Sequence, residues 1–289
     1  MHTPVLLKTA ISALAIKPNG KYIDTTAGEG GHLIEILRQG GQVLGIDRDI
    51  GQVESLKMKF ILRQAQAFGS EAQARRDNLI LKVGNFADIE KIAKEINFFP
   101  VDGILFDLGL SYRQISQGGK GLSYKQISEP LDMRLNVDSN TKASDLLNNL
   151  PEDKLYEILA GYSEEINSKT IAKAIIASRR QKRISQVTDL LDIIDRAIGR
   201  KDNKVYARIF QAIRIAVNDE FENLKQGLGG AKAILKKDGR IVIITFNSLE
   251  DRIVKNFVKN NNLQFVNKKP VFGDKDLLFE RSAKLRIIT

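Results

Sequence analysis

"KYIDTTAGEGGHLIEIL", Lys21 to Leu37, passes from an apolar, β-prone run through three glycines into a segment with helical spacing. A strand that enters a glycine turn and leaves as a helix exposes backbone N–H groups at the helix start, where they stabilise an anionic or strongly polar ligand. Gly28, Gly30 and Gly31 supply that turn. Counted from Gly28, a dinucleotide fingerprint would need a third glycine where Leu33 stands, which disfavours NAD.

Outward from this loop, β-prone runs recur at Tyr22–Ala27, Gln42–Asp47, Leu79–Phe86 and Val101–Leu110, with helical spacing between them, as at Asp88–Ile96. The alternation predicts parallel strands joined by right-handed crossovers, a doubly wound sheet whose ligands lie beyond the carboxyl ends of the strands. From Ser111 the chain turns polar and glycine-bearing, and from Lys142 to about Arg200 it reads as short amphipathic helices, one opened by Pro151 with Glu152 and Asp153 in its first turn. An all-helical insert is expected there. The sheet resumes at Gly239–Ser248, and Leu263–Phe272 and Ser282–Thr289 suit a closing antiparallel pair. Between insert and sheet, Ile209, Ala212, Ile213, Ala216, Val217, Phe221 and Leu224 predict one continuous buried helical stripe. Arg208, Gln211, Arg214 and Asn218 fall off that stripe, facing either a ligand or water.

The 289 residues are 43% hydrophobic, enough for a full core. The absence of cysteine excludes disulfides, thiol catalysis and cysteine-ligated zinc. No signal-peptide pattern opens the sequence and no apolar run approaches a membrane span, so a soluble cytoplasmic protein is expected. Lys and Arg total 45 against 35 acidic residues, and the resulting +10 attracts a polyanion such as nucleic acid.

Three strand ends add chemistry to the glycine loop. Asp24 precedes the loop, and "LGIDRD" puts Asp47 where a carboxylate accepts both hydroxyls of a ribose, or else caps a helix together with Asp49. Asn85 and Phe86 follow the third strand, where the ring can stack on adenine or simply belong to the core. Asp107 in "LFDLGLS" follows the fourth, at the reacting end of the cleft. The combination looks like the S-adenosylmethionine site of Rossmann-like methyltransferases.

With "HTPVLL", "GEGGH", "GIDRD", "DGILFDLGLS", "PLDMR", "RIFQAIRIAVNDE", "SLEDRIVK" and "RSAKLR" in that order, the chain resembles the bacterial 16S ribosomal RNA cytosine-N4 methyltransferases nearly end to end. The resemblance implies an α/β fold: a Rossmann-like class I methyltransferase sheet, mostly parallel with one antiparallel strand near the C-terminus, and an inserted all-helical domain. Residues 1–110 and 215–289 would bind S-adenosylmethionine, and 111–214 would recognise the substrate, a cytosine of the decoding centre in 16S ribosomal RNA. The family's cofactor contacts carry over onto Gly30, Gly31, His32, Asp47, Phe86, Asp107 and Gln114. Asp107 is also the catalytic candidate, accepting the amine's hydrogen or else holding the donor's amino acid end. Arg134 of "PLDMR", Arg214 of "RIFQAIRIAVNDE" and Asn247 are candidates for contacting the RNA. No metal is expected, since methyl transfer from a sulfonium depends on alignment of donor and acceptor. The partner would be 16S ribosomal RNA within a small ribosomal subunit or its precursor, with no membrane; a homodimer is left open. Other readings are a Rossmann methyltransferase of another substrate and a non-catalytic ribosome-assembly protein that binds RNA.

Some positions depart from the family. Ser111, Tyr112, Arg113 and Gln114 replace its Ser-Ser-Pro-Gln, and Lys120 to Tyr124 replace Arg-Gly-Phe-Ser-Phe. Asn247 stands where the family has a histidine, and the Asn-Pro-Arg-Ala before the closing motif is missing.

Overall fold

The computed structural model describes residues 4–65, 78–110, 118–136, 140–277 and 279–289, with no side-chain placement for 62–65. Strands form where the β-prone runs lie: β1 (Lys21–Asp24), β2 (Gln42–Asp47), β3 (Leu79–Val83), β4 (Val101–Asp107) and β5 (Leu235–Thr245), then β6 (Val271–Phe272) and β7 (Lys284–Ile288). They pair as β3-β2-β1-β4-β5-β7-β6, parallel throughout except that β7 runs against both neighbours. This is the mostly parallel sheet, with an antiparallel strand near the C-terminus, that the resemblance implies. Because β1 lies between β2 and β4, the direction of winding reverses at β1 and opens a crevice at its carboxyl end.

Helices cover both faces. On one side α1 (Leu7–Leu14), α2 (Gly31–Arg38) and α3 (Ile50–Ala65) bury Ile11, Leu14, Leu33, Ile36 and Leu56 against Tyr22, Val43 and Val242. On the other, α4 (Ile89–Glu95), α10 (Glu220–Ile234) and α11 (Ser248–Asn260) bury Ile89, Leu224, Leu228 and Val254 against Ile23, Leu44, Ile104 and Ile243. Alternation of Tyr22 and Ile23 between the two clusters is the period-2 consequence of the pleat.

Chain contacts divide the protein into Met1–Gly109 with Phe221–Thr289, and Leu110–Glu220. The second unit holds α5 (Ala143–Asn149), α6 (Glu152–Ser163), α7 (Ser168–Arg179), α8 (Val187–Ile198) and α9 (Asn203–Asn218) around Leu147, Leu159, Ile175, Leu190 and Ile209. Pro151 sits just before α6, its fixed φ of −66° leading the chain into the helix. Among the described residues no helix is long and apolar enough to cross a membrane.

Three elements differ from expectation. The continuous stripe is broken: α9 ends at Asp219, which takes a left-handed φ of 49° and donates its N–H to the Ile215 carbonyl, and α10 starts afresh at Glu220. Ile209, Ala212, Ile213 and Val217 therefore belong to the helical core, and Leu224 to the sheet core. The division by chain contacts accordingly falls after Glu220. In the tail, the run Leu263–Phe272 pairs, among the described residues, through a bridge from Phe265 to Ile288 and through β6. Pro270 immediately before β6 has no N–H to give a ladder. Finally, β5 begins at Leu235 and reaches its main register only at Arg240, with a bulge opposite Asp102.

Candidate active site

The loop after β1 is bonded to the strands on either side. The Thr25 N–H donates to the Leu105 carbonyl of β4, and the Ala27 N–H to the Ile46 carbonyl of β2, which fixes Thr25–Gly30 over the crevice. The three glycines serve different ends. Gly30 has φ 84°, and a Cβ there would lie 2.5 Å from Leu56 Cδ1; a Cβ on Gly31 would lie 1.9 Å from Pro4 Cγ. Both are glycine so that the chain can pack on itself. Gly28, at φ 48°, has no atom closer than 3.6 Å to its Cβ position and is the glycine that leaves room.

Two carboxyl groups, Asp24 buried and Asp107 partly buried, converge beside the loop. Asp24 at the end of β1 accepts the Thr26 N–H through Oδ1, while its Oδ2 has no hydrogen-bond partner among the described residues. Asp107 at the end of β4 is anchored by its own N–H donating to Thr26 Oγ1, and its Oδ1 likewise has no partner. Burial pushes Asp24 up to about 7, with the nearby Asp47 charge adding to it. Burial and then the Asp24 charge push Asp107 up to about 7 as well. An isolated buried carboxyl with an unused oxygen is costly, and two of them create strong negative potential once ionised. The site suits a cation.

His32 lines the same place from the first turn of α2. Its Nε2 bonds the Val5 carbonyl at 3.0 Å, and because a carbonyl only accepts, Nε2 carries the proton. Burial lowers its pKa to about 4, so the ring is neutral and presents the Nδ1 lone pair 4.0 Å from Asp107 Oδ2.

At the next strand end, Asp47 accepts the Gly28 N–H at 2.8 Å and the Asp49 N–H at 2.9 Å. Burial raises its pKa despite those bonds. Asp49 receives the Gly51 and Gln52 N–H groups at the start of α3, so the helix-capping role falls to Asp49 and leaves Asp47 joined to the glycine loop. Phe86 packs edge-on to Phe106 at 5.8 Å, with Arg48 over its ring at 5.7 Å, and Gly227 closes against it. Asn85 holds this corner, donating to Asn223 and accepting the Ala87 N–H. Gln114 lies outside the described residues.

The MraW methylase family model matches residues 1–289. The chain belongs to that family. It is 40% identical to the ribosomal RNA small subunit methyltransferase H of Dictyoglomus thermophilum, over 99% of this chain and 96% of that one. The Cytophaga hutchinsonii protein of the same name is 37% identical over 98% and 91%, and that of Thermomicrobium roseum 40% identical over 89% and 77%.

In this methylase the shared motifs are largely devices that lock the sheet edge. Asp251 of "SLEDRIVK" and Arg286 of "RSAKLR" form a buried bidentate pair between α11 and β7, with Arg286 also over the Phe265 ring at 4.9 Å. Pro4 and Val5 of "HTPVLL" press on Gly31 and His32, and Leu6 donates its N–H to Glu280 at 2.7 Å. The three substrate candidates are each engaged within the protein. Arg134 forks onto Asp132 at 2.6 and 2.9 Å, and Arg214 forks onto Glu220 at 2.8 and 3.0 Å. Asn218, left off the apolar stripe, is buried and ties α9 to the Met133 carbonyl and the Leu135 N–H. Asn247 is the N-cap of α11: its Oδ1 accepts the Leu249 and Glu250 N–H groups, and its Nδ2 donates to Glu250 Oε1. Glu250 returns the favour by accepting the Phe246 N–H, and its charge adds to the raised pKa of Asp107. Sequence reading noted Asp24 without giving it a role, and overlooked Glu250; the signal available was the Asn-x-x-Glu capping spacing.

Proposed function

We propose that this methylase transfers a methyl group from S-adenosylmethionine to the N4 amine of a cytosine in 16S ribosomal RNA, in the cytoplasm, on a small ribosomal subunit or its precursor. The observation that carries the donor assignment is the pair of carboxyls, Asp24 and Asp107, each with one buried oxygen that has no partner among the described residues, beside the glycine loop. S-adenosylmethionine supplies a methyl group activated by a positive sulfonium, and it carries a second cation in its ammonium. The site's residues fit it. Asp24 and Asp107 offer negative charge, Gly28 leaves room at the loop, Asp47 is assigned to the ribose hydroxyls and Phe86 to stacking on adenine; Gly30, Gly31 and His32 shape the loop, and Gln114 is assigned from the resemblance alone.

On the acceptor side, cytosine N4 shares its lone pair with the ring and attacks poorly. A hydrogen bond from N4–H to the Asp107 carboxylate turns that lone pair toward the methyl carbon. As the new N–C bond forms and the C–S bond breaks, the amine becomes strongly acidic, and its proton passes to Asp107. That carboxyl, held near 7, is suited to accept a proton at neutral pH and release it afterwards. Neutral His32 leaves the carboxylate free of a competing cation. Residues 111–214 are assigned to substrate recognition, and the donor site to the remainder.

The test is transfer of tritium from labelled S-adenosylmethionine, using the full chain with small subunits, naked 16S ribosomal RNA and free cytidine in parallel. Label recovered in N4-methylcytidine after digestion to nucleosides is the expected result. Label at the ring carbon, on a ribose or in protein would overturn the assignment.

A further inference from the structure

The positive charge is not where the helical insert would need it. Lys142–Arg200 holds ten basic and nine acidic residues, and several of its cations are paired, as in Lys182–Asp189, Arg183–Asp145 and Lys154–Glu157. Residues 232–289 hold thirteen basic against six acidic. Within that stretch Lys268, Lys269, Lys275 and Arg281 are exposed, and among the described residues none of them makes an ion pair.

Apolar side chains are exposed among those cations. Phe272 is 60% exposed at the end of β6, and Leu277 stands out from the loop that follows. The pairing register places them at the reacting edge of the sheet. Phe272 lies across from Lys284, Lys284 from Thr245, and the adjacent Ile244 from Asp107. Because β6 runs parallel to β5, its end and the loop after it share the carboxyl edge with Asp107. Three strand spacings separate Phe272 from Asp107, about 14 Å. That is too far to touch the reacting base and near enough to meet its neighbours along the chain.

Hydrogen bonds tie the described ends of the loop. Glu280 is buried, with Oε1 accepting the Leu6 N–H and Oε2 the Asp274 N–H, and Gly273 donates to the Ala283 carbonyl. A Cβ on Gly273 would lie 2.1 Å from the Glu280 carbonyl oxygen, so the turn closes tightly. Of the loop's acids, Asp274 spends one oxygen on the Asp276 N–H, and only Asp274 and Asp276 are exposed.

We propose that this C-terminal surface is a docking platform for single-stranded RNA beside the target cytosine, in which Phe272 stacks on a flanking base and Lys275 and Arg281, with Lys268 and Lys269, hold phosphates. An aromatic face interleaved with unpaired cations is the arrangement by which proteins bind single strands. The inference rests on the RNA-methyltransferase reading above.

The experiment measures anisotropy of a fluorescein-labelled single-stranded RNA oligonucleotide with the full-length protein, at several salt concentrations. Phe272→Ala should weaken binding about tenfold and Phe272→Trp should restore it. The double variant Lys275→Gln, Arg281→Gln should flatten the log–log salt slope by about 1.4. Binding of S-adenosylmethionine, measured by calorimetry on each variant, reports that the sheet is intact. Parent-like RNA affinity in Phe272→Ala would overturn the proposal. So would loss of a parent dimer on sedimentation with RNA affinity kept, which would make this face a contact between copies. If the parent itself neither binds nor methylates RNA, the functional reading falls first and this proposal with it.

Discussion

At the scale of single residues, the decisive feature is that Asp24 and Asp107 hold protons more tightly in the fold than in an unfolded chain. Both are raised from 3.8 to about 7. Between those values the folded state binds more protons than the unfolded one, so their contribution to stability is present at low pH and lost as pH climbs from about 4 to 7. Urea unfolding at pH 5 and pH 8 should show a smaller loss in the Asp24→Asn, Asp107→Asn variant than in the parent. A cationic donor favours the ionised carboxyls, so its affinity should rise with pH, by about tenfold per unit below 7 for each group that must ionise, with protons released on binding. Calorimetry in buffers of different ionisation heat reads both. Asn247, where the resemblance expects a histidine, caps a helix. Its two backbone bonds cap α11, so Asn247→Ala should cost about 1 kcal/mol in urea unfolding. Asn247→His should lose part of that cap and change single-turnover rate by less than about tenfold, while Asp107→Asn should lower it far more.

At the scale of elements, the N-terminal segment and the closing strand are braces for the donor loop. Gly31→Ala would drive a methyl group into Pro4 and detach the Val5 carbonyl from His32. Faster proteolysis near the N-terminus and weaker donor binding are the expected results. Arg286→Ala would leave Asp251 buried with, among the described residues, Lys255 as its remaining ion-pair partner, at a cost of about 3 kcal/mol. Replacing both partners together, Asp251→Leu with Arg286→Met, should recover much of that loss in denaturant melts, because the penalty comes from the stranded charge rather than the missing pair.

At the scale of the whole molecule, a net +10 spread unevenly makes association with RNA strongly salt-dependent. Affinity should fall steeply between about 50 and 200 mM salt. Charge-neutralising substitutions in residues 263–286 should flatten that dependence more than the same number placed in Lys142–Arg200, where basic and acidic residues are nearly balanced. Equal effects from both regions would show that the field as a whole steers the RNA, without a preferred face.

What the sequence by itself determined is local or periodic. Strand and helix order, the glycine turn, the insert's helical character and the placement of Asp47, Phe86 and Asp107 at strand ends all follow from spacing along the chain, which burial then rewards. What only the tertiary structure decided is which distant groups meet and what each is spent on. Asp24 comes near enough to Asp107 to raise its pKa because β1 pairs with β4, a neighbour far along the chain. The even stripe through α9 and α10 gave no hint of the break, since both halves are buried, each in its own core. Arg134, Arg214 and Asn247 are candidates for contacting the RNA, and the structure adds that they also bond to Asp132, Glu220 and a helix end. A side chain's chemistry is written in its type; whether that chemistry stays available depends on the partners that folding brings within bonding distance.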